Sequence, residues 1–181
     1  MIYIFLAEGF EEIEALTPAD CLRRAGRDVR TVGIGGRIIT GSHGIAVQAD
    51  LTEDEIALDD ALEMIVLPGG MPGTRNLQRN PAVRRAIQFC AEQERLIAAI
   101  CAAPSILGEM GLLNGKTATC YPGFEPELTS CNAVAVPVYQ DGRIITGRGP
   151  GAAMDFGLKL VAVLNGEQAA EKLASQMVYR A

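Results

Sequence analysis

Short apolar runs alternate along the chain with longer stretches in which apolar residues recur at helical spacing. The runs are typical of buried β-strands, and the longer stretches are typical of amphipathic helices. Predicted strands cover residues 2–7, 28–34, 63–70 and 96–100, with shorter ones within 116–122, 133–139 and 143–148. Predicted helices cover residues 11–26, 80–94 and 151–166. Strands that alternate with helices of this length predict an α/β fold, a mostly parallel sheet with helices on both faces.

Two local signals refine this picture. Pro18 lies inside the first predicted helix and should bend or break it, because proline cannot donate the backbone hydrogen bond. Residues 37–50 resemble a β-hairpin with its turn at Gly41 to Gly44. The chain has no repeats or linker-like segments, and its 181 residues suit one domain, which we expect to span 1–181.

Composition and charge narrow the classes of partner. The net charge is -6, and no basic run interrupts the sequence, which argues against nucleic acid or an anionic membrane surface as partner. The start of the chain does not resemble a signal peptide, and no apolar run approaches the roughly 18 residues of a membrane span. We therefore expect a cytoplasmic protein whose partners are small molecules or other proteins.

The sulfur and imidazole side chains point to thiol rather than metal chemistry. Five cysteines, an odd number, occur without CxxC spacing, so we expect free thiols in a reducing compartment. The only histidine is His43, and a single histidine disfavours a zinc site. We predict neither a metal nor a cofactor.

The most informative position is Cys101, where the apolar strand 96–100 turns directly into a helix-like pattern. A residue at such a corner projects from the carboxyl edge of the sheet, where ligands bind in folds of this class. The helix N-terminus beneath it should lower the pKa of the thiol and favour the thiolate. The alternative is that Cys101 is a small buried hydrophobic residue, although Ala102 and Ala103 leave room for a ligand.

Glu14 is the second candidate. On a helix its face also carries Phe10 and Cys21, so its carboxyl lies on an apolar stripe and should have a raised pKa. The alternative is a first-turn acid stabilised by the helix dipole, which is our interpretation of Glu11 and Glu12.

Two glycine-rich segments could complete a site. Gly69 and Gly70 follow the strand at 63–67 and permit close backbone approach, so an amide there could join that of Ala102 in an oxyanion hole. Such pairs also form plain turns. In the segment 146–151, Arg148 could meet either an anion or only solvent.

Four motifs, AEGFEEIEA, LPGGMPG, AAICAAP and GRGPG, occur in this order across nearly the whole chain. Together they resemble the ThiJ/PfpI superfamily, in its parkinsonism-linked DJ-one branch. The resemblance implies a flavodoxin-like three-layer sandwich, a homodimer, and an oxidation-prone nucleophilic cysteine at Cys101. It also implies that Glu14 is a protonated acid bonded to the thiolate, and that the Gly70 and Ala102 amides line an anion site.

The same resemblance implies two functions that use one site. The first is a deglycase or glutathione-independent glyoxalase that acts on methylglyoxal or on early glyoxal adducts. The second is an oxidative-stress sensor or a redox-regulated chaperone, in which the cysteine is oxidised. The sequence leaves both open.

Two positions differ from the motifs of related proteins, and each difference argues against one kind of active site. Ala102 follows Cys101 where peptidase-like relatives carry histidine, which argues against a peptidase. Tyr121 stands where some close relatives have histidine, which argues against a Cys-His dyad. Further candidate substrate contacts are Gly69, Arg24, Tyr121, Gly149, Pro150 and His43. Of these, Arg24 could instead pair with Asp20 on the helix surface, and His43 could be an exposed turn residue or reach a site across a dimer interface.

Overall fold

The computed structural model describes residues 1–179. The strands are β1 (Ile2–Leu6), β2 (Val29–Gly33), β3 (Ile38–Thr40), β4 (Ala46–Gln48), β5 (Leu51–Thr52), β6 (Met64–Leu67), β7 (Leu96–Ile100), β8 (Thr117–Ala118), β9 (Asn132–Ala133), β10 (Val138–Asp141) and β11 (Ile144–Gly147). The helices are α1 (Glu12–Arg24), α2 (Gly73–Arg79), α3 (Pro81–Glu92), α4 (Pro104–Glu109), α5 (Ala153–Asn165) and α6 (Glu167–Gln176). Short 3₁₀ turns cover Glu125–Glu127 and Pro150–Ala152.

Seven strands form the central sheet, in the order β10-β11-β7-β6-β1-β2-β5. Every neighbouring pair is parallel except the β10–β11 hairpin. The chain moves outward from β1 in one direction through β2 and in the other through β6, so the strand order reverses between β1 and β6. Ligands of such sheets bind beyond the carboxyl ends of the strands at this point.

Helices cover both faces of the sheet, which confirms the predicted flavodoxin-like three-layer α/β sandwich. Strand β1 shows why its sequence is apolar throughout. Ile2 and Ile4 point into the core beneath α1 and α5, while Tyr3 and Phe5 point into the opposite core beneath α3. Because successive side chains of a strand alternate between faces, a strand buried on both sides needs an unbroken apolar run.

Helix α1 runs unbroken through Pro18, so of the expected bend or break, the break does not occur. The reason is tertiary packing against α5. Gly157 lies so close that a Cβ on it would be 3.2 Å from Pro18 Cα and 3.0 Å from Cys21 Sγ. The close α1–α5 contact stabilises the helix despite the hydrogen bond that proline cannot donate.

The predicted hairpin is confirmed. Strands β3 and β4 pair antiparallel outside the main sheet, with the turn at residues 41–45 between them. Its position near the start of α1 matters for the site described below. No helix within residues 1–179 has the length and apolar character needed to cross a bilayer.

Candidate active site

The chain turns sharply at Cys101, between the last residue of β7 and the start of α4. Cys101 has a φ of 66°, in the left-handed region that residues other than glycine rarely adopt. Its N–H donates to the carbonyl of Gly147 at 2.9 Å, and its carbonyl accepts from the N–H of Tyr121 at 2.8 Å. These two hydrogen bonds hold the strained corner in place, as expected of a functional residue on a strand-to-helix turn.

Glu14 lies beside this corner and has no solvent exposure. Its Oε2 accepts a hydrogen bond from the Gly69 N–H at 2.9 Å. Its Oε1 is buried and has no hydrogen-bond partner within residues 1–179. The apolar surroundings predicted for this carboxyl are confirmed, and the neighbouring group that can exchange a proton with it is the Cys101 thiol.

Gly69 makes the approach of these two side chains feasible. A Cβ on Gly69 would lie 2.7 Å from Glu14 Oε2, 2.7 Å from Cys101 Cβ and 3.1 Å from Cys101 Sγ. Any side chain there would displace the carboxyl or the sulfur. The glycine is therefore required by the packing of two reactive groups into one small space.

Two backbone amides act on the sulfur. The N–H groups of Ala102 and Gly70 both interact with Cys101 Sγ and favour its charged form. Gly70 has a φ of 88°, and a Cβ on it would lie 2.4 Å from the Glu11 nitrogen. The structure thus brings together Cys101, Glu14 and the two amides that the resemblance implied.

The pKa of the thiol differs from the sequence-based expectation. Burial raises the pKa of Cys101, and the neighbouring Glu14 carboxylate raises it further, against the two amides. The expected lowering is therefore wrong. It considered only the helix N-terminus, whereas Cys101 is 9% exposed and faces a second acid.

Burial also raises the pKa of Glu14, to about 7, although interactions with the Cys101 thiol and the Gly69 N–H oppose the shift. The two groups titrate as a pair, and ionisation of one disfavours ionisation of the other. Near neutral pH the carboxylate can accept the thiol proton and give it back. This arrangement suits a nucleophile with an adjacent general base.

A second cluster lies on the other side of α1. The Glu12 carboxylate accepts hydrogen bonds from the N–H groups of His43 and Ile45, and its Oε2 lies 2.9 Å from His43 Nδ1. Among the described residues, one group has atoms placed so that they could ligate a metal ion: carboxylate oxygens of Glu11 and Glu12 and a ring nitrogen of His43, all within 4.8 Å of one another. Their hydrogen bonds to the hairpin turn account for their position. Within one chain, His43 is thus an exposed turn residue that contacts Glu12, not Cys101.

A cleft of about 400 Å³ adjoins the Cys101 corner. Tyr121, Arg148, Gly149 and Pro150 line it, so it contains three of the predicted substrate contacts. The Tyr121 N–H connects this cleft to the corner through its hydrogen bond to the Cys101 carbonyl. Tyr121 is 46% exposed, which leaves its ring available to a ligand.

Arg24 is not part of this arrangement within one chain. Its guanidinium pairs with Asp20 at 2.7 Å, the helix-surface pair expected from their spacing. It lies ten residues beyond Glu14 on α1, or about 15 Å along the helix axis. Within the chain, Arg24 therefore does not reach Cys101.

Cys120 neighbours the corner through a tertiary contact. Cys120 directly precedes Tyr121, whose N–H bonds to the Cys101 carbonyl, so the two backbone segments are adjacent. The side chains diverge, because Cys120 packs in the core beneath α3 and Cys101 packs in the core beneath α1. Burial raises the pKa of Cys120 to about 11. All five cysteines are free thiols, as predicted.

Comparisons with known proteins identify the family of this chain. The sequence profile of the DJ-1/PfpI family matches residues 1–163. Protein DJ-1 homolog B of Arabidopsis thaliana is 38% identical over 99% of this chain, which spans 41% of that protein's length. A Pyrococcus abyssi protein named as a deglycase is 32% identical over 83% of this chain and 90% of its own. The structure of oxidized Toxoplasma gondii DJ-1 superposes with a TM-score of 0.94 at 34% identity, covering 99% of this chain and 98% of that one. The chain belongs to the DJ-1/PfpI family.

Proposed function

We propose that the protein is a cysteine-dependent enzyme that converts small dicarbonyl compounds such as methylglyoxal, or removes their early adducts, without glutathione. One observation carries the proposal. The absence of a side chain at Gly69 lets the Cys101 sulfur lie beside a fully buried Glu14 carboxyl whose pKa is near neutrality. A nucleophile next to a general base whose pKa lies near neutral pH is the arrangement that carbonyl addition needs.

The proposed reaction begins with proton transfer from the Cys101 thiol to Glu14. The sulfur attacks the aldehyde carbon of methylglyoxal, forming a C–S bond, and the aldehyde oxygen takes the proton to give a hemithioacetal. Glu14 then removes the proton from the former aldehyde carbon and returns it to the adjacent ketone carbon, while the hydroxyl proton moves from the former aldehyde oxygen to the former ketone oxygen. The product is a lactoyl thioester, since one carbon is oxidised as its neighbour is reduced. Water hydrolyses the thioester to lactate and frees Cys101.

The two amides contribute to this proposal in succession. At rest the Gly70 and Ala102 N–H groups favour the charged form of the sulfur and so stabilise the thiolate. Once the C–S bond forms, negative charge moves to the substrate oxygen, where the same donors would be oxyanion donors. The adjoining cleft exceeds the size of methylglyoxal, so it would also hold an adduct on an amino or guanidino group. The Pyrococcus abyssi relative named as a deglycase supports this substrate class.

Assembly and location are part of the proposal. Ile13 and Leu16 on α1 and Ile45 on the hairpin turn are large apolar side chains, between 37% and 54% exposed. The hairpin turn is bonded to Glu12, so these side chains lie around the start of α1 and would be covered in a homodimer. Five free thiols fit a reducing, cytoplasmic compartment.

Lactate formation from methylglyoxal by the purified protein tests the proposed function. Without glutathione, wild-type protein should form lactate and Cys101→Ala should form none above the uncatalysed rate. Cys90→Ala is the matched control, because Cys90 is a free, buried cysteine in the core beneath α3. Equal rates for wild type and Cys101→Ala would refute the proposal.

A second candidate function, an oxidation sensor or redox-regulated chaperone, rests on the two amides that favour the charged form of the sulfur. Two equivalents of peroxide would convert the thiol to a sulfinate and release two waters. The sulfinate oxygens could accept hydrogen bonds from these amides and from protonated Glu14. Since the Cys120 side chain packs in the opposite core, we expect two added oxygens at Cys101 and an unchanged melting temperature. A Cys101–Cys120 disulfide, found by mass spectrometry, would contradict this candidate.

A further inference from the structure

A second cleft, of about 380 Å³, opens at the opposite edge of the sheet. It lies at the amino ends of two neighbouring strands, since Arg95 directly precedes β7 and Arg143 directly precedes β11. Cys101 follows the other end of β7. At the usual rise per residue the two sites are about 20 Å apart, so this cleft is separate from the chemistry proposed above.

Three cations line this cleft in a protein whose net charge is -6. They are Arg95, Lys116 and Arg143, and the acidic residue that lines the cleft with them is Glu94. Each cation lies next to a turn or at the start of a strand, which directs three separate chain segments toward one space. Such convergence of positive charge favours an anionic ligand.

Two of these cations are only loosely paired. Lys116 Nζ lies 3.6 Å from the nearest carboxylate oxygen of Asp141, and Arg143 Nη2 lies 3.7 Å from that of Glu94. Both distances exceed those of charge-assisted hydrogen bonds. Ion pairs that solvent can reach contribute little to stability, so both cations can turn toward a ligand at small cost.

The third cation is incompletely bonded. Arg95 Nη2 donates to Asp60 at 3.1 Å, and the Asp60 side chain is fully exposed. Arg95 Nε is buried and has no hydrogen-bond partner within the described part of the chain. A buried donor on a charged group is costly to leave unpaired, so the Arg95 guanidinium would gain from turning toward a ligand oxygen in the cleft.

The rest of the cleft is apolar. Ile97, Leu112 and Ile144 are among its lining residues, and each belongs to or packs against the core beneath α3. A ligand that fills the cleft therefore needs an apolar body as well as an anionic group. The volume limits it to a small organic molecule.

We propose that this cleft binds a phosphate monoester that carries a small apolar or aromatic body. A monoester has a charge between about -1.5 and -2 at neutral pH and three acceptor oxygens. Three converging cations match this charge and number of acceptors better than they match a carboxylate. The apolar body would lie on Ile97 and Leu112.

Calorimetric titration with phenyl phosphate, benzoate and inorganic phosphate tests the proposal. Phenyl phosphate should bind most tightly, because benzoate has the same ring with one charge and inorganic phosphate has the charge without the ring. Its affinity should fall as salt is added. Absence of phenyl phosphate binding, or equal affinity for benzoate, would overturn the proposal.

Variants locate the binding. Arg95→Gln should bind phenyl phosphate roughly tenfold more weakly, the loss expected from one charge-assisted hydrogen bond, and Lys116→Gln should weaken it similarly. Arg84→Gln is the matched control, because Arg84 pairs with Glu109 outside the cleft, and Cys101→Ala should also bind normally. Circular dichroism shows that each variant is folded. Unchanged affinity in folded Arg95→Gln and Lys116→Gln, or loss of binding in Cys101→Ala, would contradict the assignment.

Discussion

The first turn of α1 holds two carboxyls that both have little solvent exposure but have opposite acidity. Glu12 is 5% exposed and Glu14 is not exposed at all. Burial raises the pKa of both groups. For Glu12, the hydrogen bonds from the His43 side chain and from nearby backbone N–H groups outweigh burial and lower the pKa to about 2. For Glu14, burial prevails and the pKa is about 7.

The difference lies in the partners that each carboxyl faces. Glu12 faces the hairpin turn, which supplies N–H donors to both of its oxygens. Glu14 faces the Cys101 corner, where one oxygen has the Gly69 N–H and the other has no partner within residues 1–179. A carboxylate that accepts several hydrogen bonds stays ionised and can hold a neighbouring loop in place. A buried carboxyl with few hydrogen-bond donors has a raised pKa and can exchange protons near neutral pH. We infer that Glu12 holds the hairpin and that Glu14 serves Cys101.

Isosteric amides at the two positions should give the largest contrast, in activity. Glu14→Gln removes the proposed base and should lower kcat/KM for methylglyoxal by about 10²–10⁴-fold. Glu12→Gln should keep turnover close to wild type, since Glu12 does not contact Cys101. Steady-state kinetics on both variants measures this contrast. Comparable losses in the two variants would remove the distinction between anchor and base.

The next contrast is in the pH dependence of stability. The pKa of Glu14 rises from 4.5 to about 7 on folding, so the native state binds this proton more tightly than the unfolded state. Its stabilising effect is complete below pH 4.5 and is lost as pH rises through about 7, a total of about 3 kcal/mol. Glu14→Gln has no such proton to lose. Its free energy of unfolding relative to wild type should therefore rise by about 3 kcal/mol between about pH 5 and about pH 8.

Glu12→Gln is the control for that measurement. The pKa of Glu12 is lowered from 4.5 to about 2, so its stabilising effect is present above pH 4.5 and is lost only as pH falls toward 2. The cost of Glu12→Gln should therefore be nearly the same at both pH values. Urea unfolding of the three proteins gives the free energies. A pH-independent difference between Glu14→Gln and wild type would show that the Glu14 pKa is ordinary.

The smallest expected effect is on stability and concerns Gly69, which lies between Glu14 and Cys101. Gly69→Ala places a Cβ against Glu14 Oε2 and Cys101 Cβ, and we expect a loss of about 1–3 kcal/mol of stability, as in other overpacked cores. Gly151→Ala is the matched control, because a Cβ there would meet no atom within 4 Å. Denaturant titration compares the two. Equal stability of both variants would mean that the site is looser than described.

Much of the fold follows from patterns that the chain displays locally. The apolar runs predicted the buried strands because strands covered on both faces have no polar side to show. Cys101 was identified because an apolar run meets small residues with no intervening loop, and Glu14 because helical counting places it among apolar neighbours. Helices α2 and α6 were missed. The first is seven residues long and begins with glycine, so it lacks a readable apolar period.

Features that depend on distant residues could not be predicted in this way. The thiol pKa is set by burial and by Glu14, which is 87 positions away in the sequence, and a local count of charges detects neither. The unbroken path of α1 through Pro18 depends on Gly157 of α5. The position of Cys120 beside the corner depends on a backbone hydrogen bond between residues 101 and 121. Each is a tertiary contact that no local pattern encodes.

The most direct test of the central claim, that Glu14 and Cys101 act as one proton-exchanging pair, is the pH profile of kcat/KM for methylglyoxal. In wild type, kcat/KM should rise with pH through a midpoint near 7, because the ionised carboxylate is the form that accepts the thiol proton. In Glu14→Gln this rise should disappear, leaving only the weak increase that comes from direct ionisation of the thiol at higher pH. The same midpoint in both proteins would contradict the account.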